Sequence, residues 1–125
     1  MARKISRRPV HILFDHNTPR QLRQHLGDRH SVTLARELAW NEKSNGDLIA
    51  SADEAGFDLL ITCDQSIQYQ QNLTARKIAI IVLMPAHWKT LAPFVDRIKE
   101  AVEKAAQNSY QEFQFDDVKR NRRGP

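Results

Sequence analysis

Three aspartates stand at positions from which carboxylates can act together. Asp15 directly follows the apolar run Val10 to Phe14, and Asp64 follows a second apolar run that ends at Thr62. Asp47 opens the helical stretch that leads into that second run. If the two runs are neighbouring parallel strands, Asp15 and Asp64 project into one crevice at the carboxyl ends of the strands, where open α/β sheets bind ligands. The helix start could bring Asp47 to the same crevice.

Three clustered carboxylates repel one another, which raises their pKa values unless a cation neutralises them. Oxygen ligands without nearby sulfur favour Mg²⁺ or Mn²⁺. Such ions generate a hydroxide and support in-line displacement at phosphorus. The simpler explanation is structural, because loops favour aspartate after a strand and the helix dipole stabilises a carboxylate at a helix start. Each aspartate alone fits that explanation, but the three together favour a site.

The elements that would position these aspartates can be read from the apolar pattern. The stretch GDLIASADEAGFDLLITCD, Gly46 to Asp64, begins with one apolar helical face. That face consists of Leu48, Ile49, Ala52 and Ala55. Gly56 stands where a helix often ends in a left-handed residue, and Phe57 to Thr62 predicts a strand covered on both faces. Asn45 or Ser44 is the expected N-cap.

Before this stretch, Val10 to Phe14 predicts a first strand and His30 to Leu34 a second. Between them Thr18 is a good N-cap, followed by Pro19 and Gln21, for a helix running to about Gly27.

After Asp64 we expect a short helix that turns Ile67 and Leu73 inward, then a buried strand from Lys77 to Leu83. A long amphipathic helix follows, with Pro93 in its first turn. Its apolar positions are Leu91, Val95, Ile98, Val102 and Ala105. The alternation around Phe113 and Phe115 predicts, more weakly, a late edge strand.

Strands separated by helices predict a parallel sheet with helices on both faces. The expected fold class is therefore α/β, a three-layer α/β/α sandwich with a mainly four-stranded parallel sheet. By length, the 125 residues make one domain. We place that domain at residues 10–116, between a basic tail at 1–9 and a basic, disordered tail at 117–125.

The net charge of +4 is concentrated in those tails. Eight basic residues lie there, and the remaining eleven oppose fifteen acidic residues, so the chain without those eight carries −4. Basic tails can attract phosphates without sequence preference, although solvated ends that aid solubility explain them equally simply.

One cysteine, Cys63, excludes an internal disulfide and fits a cytoplasmic location. We expect it to be a small buried hydrophobic residue rather than a catalytic thiol. No apolar run approaches the roughly 20 residues that span a bilayer, so no membrane partner is expected.

Several motifs together resemble the PIN-like domain family. FDHNTP, Phe14 to Pro19, resembles the opening of small PIN-like domains, where an aspartate ends the first strand. The stretch Gly46 to Asp64 is similar to the PIN segment in which an aspartate opens a helix and a strand ends in Thr-x-Asp. YQQNL, Tyr69 to Leu73, followed by KIAIIVL, looks like one uncharacterised bacterial branch. The resemblance covers residues 10–84.

The resemblance implies a Mg²⁺- or Mn²⁺-dependent endoribonuclease, in many relatives a toxin that a neighbouring antitoxin holds. It implies that Asp15, Asp47 and Asp64 are catalytic metal ligands. Asn17, Thr62 and Ser66 would surround those ligands with hydrogen bonds. The expected partners are an RNA substrate and an antitoxin protein.

The chain departs from the family pattern at several acids. His16 and Ser66 stand where the family often has acidic residues, and only Glu37 or Glu42 could supply the glutamate of the middle helix. Fewer acids weaken metal affinity. A non-catalytic PIN-like module that binds RNA or a protein therefore remains an alternative.

Two further interpretations concern neighbouring residues. His16, Tyr69, Gln70 and Asn72 are candidate nucleic-acid contacts, although a polar helix surface or a homodimer contact would explain the latter three equally well. A receiver-type domain phosphorylated on Asp15 ranks last, because it needs an acid where His16 stands and a lysine at a later strand end.

Overall fold

Short apolar strands alternate with helices along the chain in a computed structural model, which describes residues 9–69 and 76–116. The strands are β1 (His11–Phe14), β2 (Ser31–Leu34), β3 (Leu59–Thr62), β4 (Ala79–Met84) and β5 (Tyr110–Gln114). The helices are α1 (Gln21–Leu26), α2 (Asn45–Glu54), α3 (Trp88–Leu91) and α4 (Val95–Lys104), and 3₁₀ turns cover Ala35–Leu38, Gln65–Tyr69 and Ala92–Phe94.

The five strands form one parallel sheet in the order β2-β1-β3-β4-β5. The order reverses direction at β1 and β3, and crevices at such switch points are where open α/β sheets bind ligands. Phe14, at the end of β1, is paired with Leu34 of β2 and with Ile61 of β3. This register brings Asp15 level with Thr62. The arrangement is compatible with a Rossmann-like α/β fold.

The strands at the centre of the sheet are apolar along their whole length because both of their faces are covered. Along β1, Ile12 and Phe14 belong to one buried cluster and Leu13 to another, as the alternation of side chains along a strand requires. The first cluster includes the apolar faces of α1 and α4. The second includes the apolar face of α2.

The expected count of four strands was wrong, because the sheet has a fifth. The chain after α4 returns to the free edge of β4, where Leu83 is paired with Phe113. The weaker prediction of a late edge strand is therefore confirmed at Phe113. Phe115 lies just past that strand and is buried in the first cluster.

The structure confirms one of the two predicted helix N-caps and contradicts the other. Ser44 caps α2, since its Oγ accepts a hydrogen bond from the Asp47 amide at 3.3 Å. The prediction for Thr18 was wrong: α1 begins at Gln21, and the Thr18 hydroxyl instead donates to the Ile61 carbonyl at 2.9 Å. A long-range partner on β3 thus replaces the local cap.

The long helix predicted around Pro93 is divided in the structure. Pro93 lies in the 3₁₀ turn between α3 and α4, as expected for a residue without an amide hydrogen. Ile67 is fully buried, as predicted. The predictions for Leu73, for residues 1–8 and for residues 117–125 lie outside the described residues. None of the helices in 9–69 and 76–116 has the length and apolar character needed to cross a membrane.

Candidate functional site

Asp15 is held at the carboxyl end of β1 and is only 5% exposed. Its Oδ2 accepts a hydrogen bond from the Thr62 hydroxyl at 2.7 Å. Its Oδ1 accepts one from the His16 amide at 2.7 Å and lies 3.1 Å from His16 Nδ1. A nearly buried carboxylate that keeps these bonds is fixed in orientation, as a ligand or catalytic group must be.

Asp64 lies two residues past β3 and is half-buried. Its Oδ1 accepts hydrogen bonds from the Ser66 hydroxyl at 2.6 Å and the Ser66 amide at 3.0 Å. Its Oδ2 accepts one from the Asn45 side-chain amide at 3.1 Å. The bond from the Ser66 hydroxyl, and then the bond from Asn45, lower the pKa of Asp64 below its ordinary value. Asp64 is therefore ionised at neutral pH.

Thr62 connects the Asp15 carboxylate to the backbone of Asp64. Its hydroxyl donates its one proton to Asp15 Oδ2 and accepts a bond from the Asp64 amide at 3.1 Å. Asn17 reinforces this junction, because its side-chain oxygen accepts a bond from the Cys63 amide at 3.0 Å. These contacts tie the end of β1 to the end of β3. We refer to Asp15, Asp64 and Thr62 as the strand-end cluster.

The strand-end cluster keeps acceptor capacity on both carboxylates. An ionised carboxylate has about four acceptor positions, two on each oxygen. When the His16 ring carries its proton on Nδ1, the His16 amide and ring fill both acceptor positions of Asp15 Oδ1. The Thr62 hydroxyl fills one of the two positions of Asp15 Oδ2. Asp64 is filled in the same way, with one position of its Oδ2 remaining. Magnesium commonly binds through one or two carboxylates together with waters and substrate phosphates, so this donor set fits such an ion.

The Asp47 side chain makes no hydrogen bond to the strand-end cluster within the described residues. It is exposed at the start of α2 and makes no hydrogen bond or ion pair with a described residue. Across the described ranges, no three His, Cys, Asp or Glu side chains are grouped so that they could hold a metal ion. Positions two apart on a helix point in clearly different directions, so Asn45 reaches Asp64 while Asp47 does not.

Asn45 is the site residue that sequence reasoning missed. The sequence predicts it only as a cap for α2, whereas in the structure its side-chain amide donates to Asp64 and lies 3.3 Å from the Ser66 hydroxyl. No sequence pattern distinguishes these two roles. Ser66, predicted to lie around the metal ligands, is in direct contact with Asp64.

The remaining candidate residues lie around the cluster or outside the described part of the chain. The His16 side chain is 60% exposed beside Asp15. Tyr69 ends a 3₁₀ turn, its side chain lies outside what the structure describes, and Gln70 and Asn72 lie outside the described residues. Glu37 is engaged by Arg23 at 3.0 Å, far in sequence from either strand end. Burial raises the pKa of the Cys63 thiol to about 12, so it is a poor nucleophile at neutral pH.

Comparisons with known proteins supply no family for this chain. Scans of protein-family models, curated proteins and solved structures each return no match.

Proposed function

We propose that this protein is a Mg²⁺- or Mn²⁺-dependent endoribonuclease of the PIN-like type. The observation that carries the proposal is the strand-end cluster, in which two aspartates from neighbouring strands share the hydroxyl of Thr62. The packing of α1 and α4 in one buried cluster and of α2 in the other supports the proposed three-layer α/β/α arrangement. By the resemblance of its motifs, the protein would act as a toxin that an antitoxin holds.

The residues of the cluster have separate roles in this proposal. Asp15 and Asp64 would hold the ion through the oxygen positions that remain open. Ser66 and Asn45 stabilise the ionised form of Asp64, since both donate to its carboxylate. Thr62 orients the Asp15 carboxylate and fixes the backbone at Asp64. When bound, the metal ion supplies a hydroxide and neutralises charge on the phosphodiester.

The test is cleavage of a labelled single-stranded RNA in the presence of Mn²⁺. Asp15→Asn and Asp64→Asn should each lower the rate of cleavage at least about a hundredfold, because an amide is a weak ligand for a hard cation. The matched control is Asp28→Asn, an exposed aspartate in the turn before β2, at the amino-terminal edge of the sheet. It should cleave like the wild-type protein.

Folding and metal binding are measured on the same variants. Circular dichroism checks that Asp15→Asn keeps its structure, and calorimetry with Mn²⁺ should show weaker binding than in the Asp28→Asn control. Cleavage that persists in both cluster variants would contradict the proposal, as would cleavage that chelation of metal leaves intact.

A specific observation favours a second candidate, a PIN-like module that binds RNA or a protein without cleaving. Two positions at which PIN-like domains often carry an acid hold His16 and Ser66 instead, and Ser66 donates to Asp64. With fewer carboxylates the affinity for a divalent ion falls. Calorimetry that detects no Mn²⁺ binding at millimolar concentration, together with RNA binding in chelator, would favour this candidate over the nuclease.

A further inference from the structure

A basic cleft lies at the same edge of the sheet as the strand-end cluster, between α1 and the 3₁₀ turn after β2. Its volume is about 530 Å³. The lining residues are Arg20, Gln21, Arg23, Gln24, Leu34, Arg36 and Glu37. Three arginines and one glutamate give this lining a charge of +2. The charge contrasts with the −4 of the chain without its eight tail cations.

One of the three arginines is already neutralised. Arg23 makes two bonds to the Glu37 carboxylate, at 3.0 Å and 3.1 Å, and a third to the Val32 carbonyl. The bond from the Leu34 amide and then the bond from Arg23 lower the pKa of Glu37. This pair links α1 to the 3₁₀ turn after β2, the two elements that line the cleft.

The other two arginines keep their hydrogen-bonding groups for a ligand. Arg20 and Arg36 are both exposed, and the side chain of neither makes a hydrogen bond or a salt bridge within 9–69 and 76–116. Arg36 acts on Glu37 only through longer-range attraction. A guanidinium presents a planar fork of donors that matches phosphate oxygens. The amides of Gln21 and Gln24 add neutral donors and acceptors beside them.

The register of the sheet places the cleft beside Asp15. Phe14 and Leu34 are paired across β1 and β2, so the residues after each strand emerge at the same edge. Arg36 follows β2 by two residues, and Arg20 follows Asp15 by five. Since β2 is the strand next to β1, a chain that lies over the strand-end cluster and continues past β1 would reach the end of β2, where the cleft lies.

We propose that this cleft binds the backbone phosphates of single-stranded RNA through Arg20 and Arg36, next to the strand-end cluster. The inference rests on the proposed function, for which it names the surface that holds the substrate beside the cluster. The positive charge, the phosphate-matching donors and the shared sheet edge favour a nucleic-acid strand over an acidic protein. An acidic protein would not need the adjoining carboxylates of the cluster.

The test measures binding alone, so that it does not depend on cleavage. A fluorescently labelled 12-nucleotide single-stranded RNA is titrated with the full chain in EDTA, and anisotropy is followed at several salt concentrations. The double variant Arg20→Gln/Arg36→Gln should bind about tenfold more weakly. The slope of log affinity against log salt should fall by about 1.4, or roughly 0.7 for each phosphate that the variant no longer neutralises.

The control removes the same charge elsewhere. Arg97→Gln/Lys99→Gln changes two exposed cations of α4 and should shift affinity and slope much less. Circular dichroism confirms that both double variants are folded. If both double variants lose the same RNA affinity, binding depends only on the net charge of the protein. If the cleft variant keeps the wild-type affinity, the RNA binds elsewhere, for example at the tails. Either result would overturn the inference.

The outcomes also separate this inference from the proposed function. If the cleft variant loses RNA binding while no Mn²⁺-dependent cleavage exists, the cleft stands and the nuclease fails. If the wild-type chain cleaves RNA and the cleft variant keeps its affinity, the nuclease stands and the cleft fails. Wild-type protein that binds no RNA but binds an acidic polypeptide through Arg20 and Arg36 would assign the cleft to a protein partner and overturn the inference.

Discussion

At the scale of single residues, the site depends on one hydroxyl that both donates and accepts. Thr62 is fully buried, donates to Asp15 and accepts from the Asp64 amide. A buried polar group destabilises the folded state unless it is hydrogen-bonded. The orientation of Asp15 and the position of Asp64 therefore depend on the same side chain.

Replacing this hydroxyl by a methyl group tests that dependence. Thr62→Val keeps the shape but removes the partner of Asp15 Oδ2 and the partner of the Asp64 amide. We expect the free energy of unfolding to fall by about 2 kcal/mol, measured by urea denaturation. Thr62→Ser keeps the hydroxyl and should lose less than about 1 kcal/mol. Equal losses in the two variants would contradict a role for the hydroxyl.

At the scale of elements, α2 and β3 position the site through the turn that joins them. Ser44 fixes where α2 begins, which sets Asn45 against Asp64. Gly56 ends the helix with φ of +92° and sends the chain into β3. Residues with a Cβ adopt such a conformation at a cost, whereas glycine does not.

Gly56→Ala isolates that cost. A Cβ at this position would meet nothing within 4 Å, so any destabilisation comes from the backbone and not from a clash. We expect a loss of about 1 kcal/mol in the free energy of unfolding, measured by thermal or urea denaturation. Gly56→Asn should lose less, since asparagine tolerates positive φ better. An alanine variant as stable as the wild-type protein would show that the turn relaxes to another conformation.

At the scale of the whole molecule, β5 forms one edge of the sheet, and the residue after it connects the last helix to the core. Phe115 is 5% exposed, and its ring stacks on Phe94 with centroids 4.6 Å apart. Phe94 belongs to the turn that introduces α4. This contact therefore links the end of the described chain to the helix packed on the same sheet face.

Phe115→Ala should lower the free energy of unfolding by about 3 kcal/mol, because it removes a buried aromatic ring and leaves a cavity. Phe113→Ala is the matched control: its ring is only half-buried, so its loss should be smaller. Urea denaturation of the two variants measures the difference. A larger loss at Phe113 would mean that the packing at this edge differs from the structure described.

Much of the scaffold can be predicted from local sequence. The apolar runs that became β1, β3 and β4 and the left-handed Gly56 follow from burial and backbone preference alone. The hydrogen bond between Thr18 and β3 could not be predicted in this way. It has an ordinary capping sequence, yet its hydroxyl finds the Ile61 carbonyl, 43 residues away.

The sequence by itself determined the α/β class and the placement of Asp15 and Asp64 at strand ends, because hydrophobic periodicity and strand termination are local properties. Only the tertiary structure decided that β1 and β3 are neighbours, that Thr62 bonds both the Asp15 carboxylate and the Asp64 amide, and that Asn45 reaches Asp64. The physical reason is that strand order, register and the rotation of a helix about its axis are set by packing between segments distant in the chain. Spacing along the chain therefore carries no signal for them.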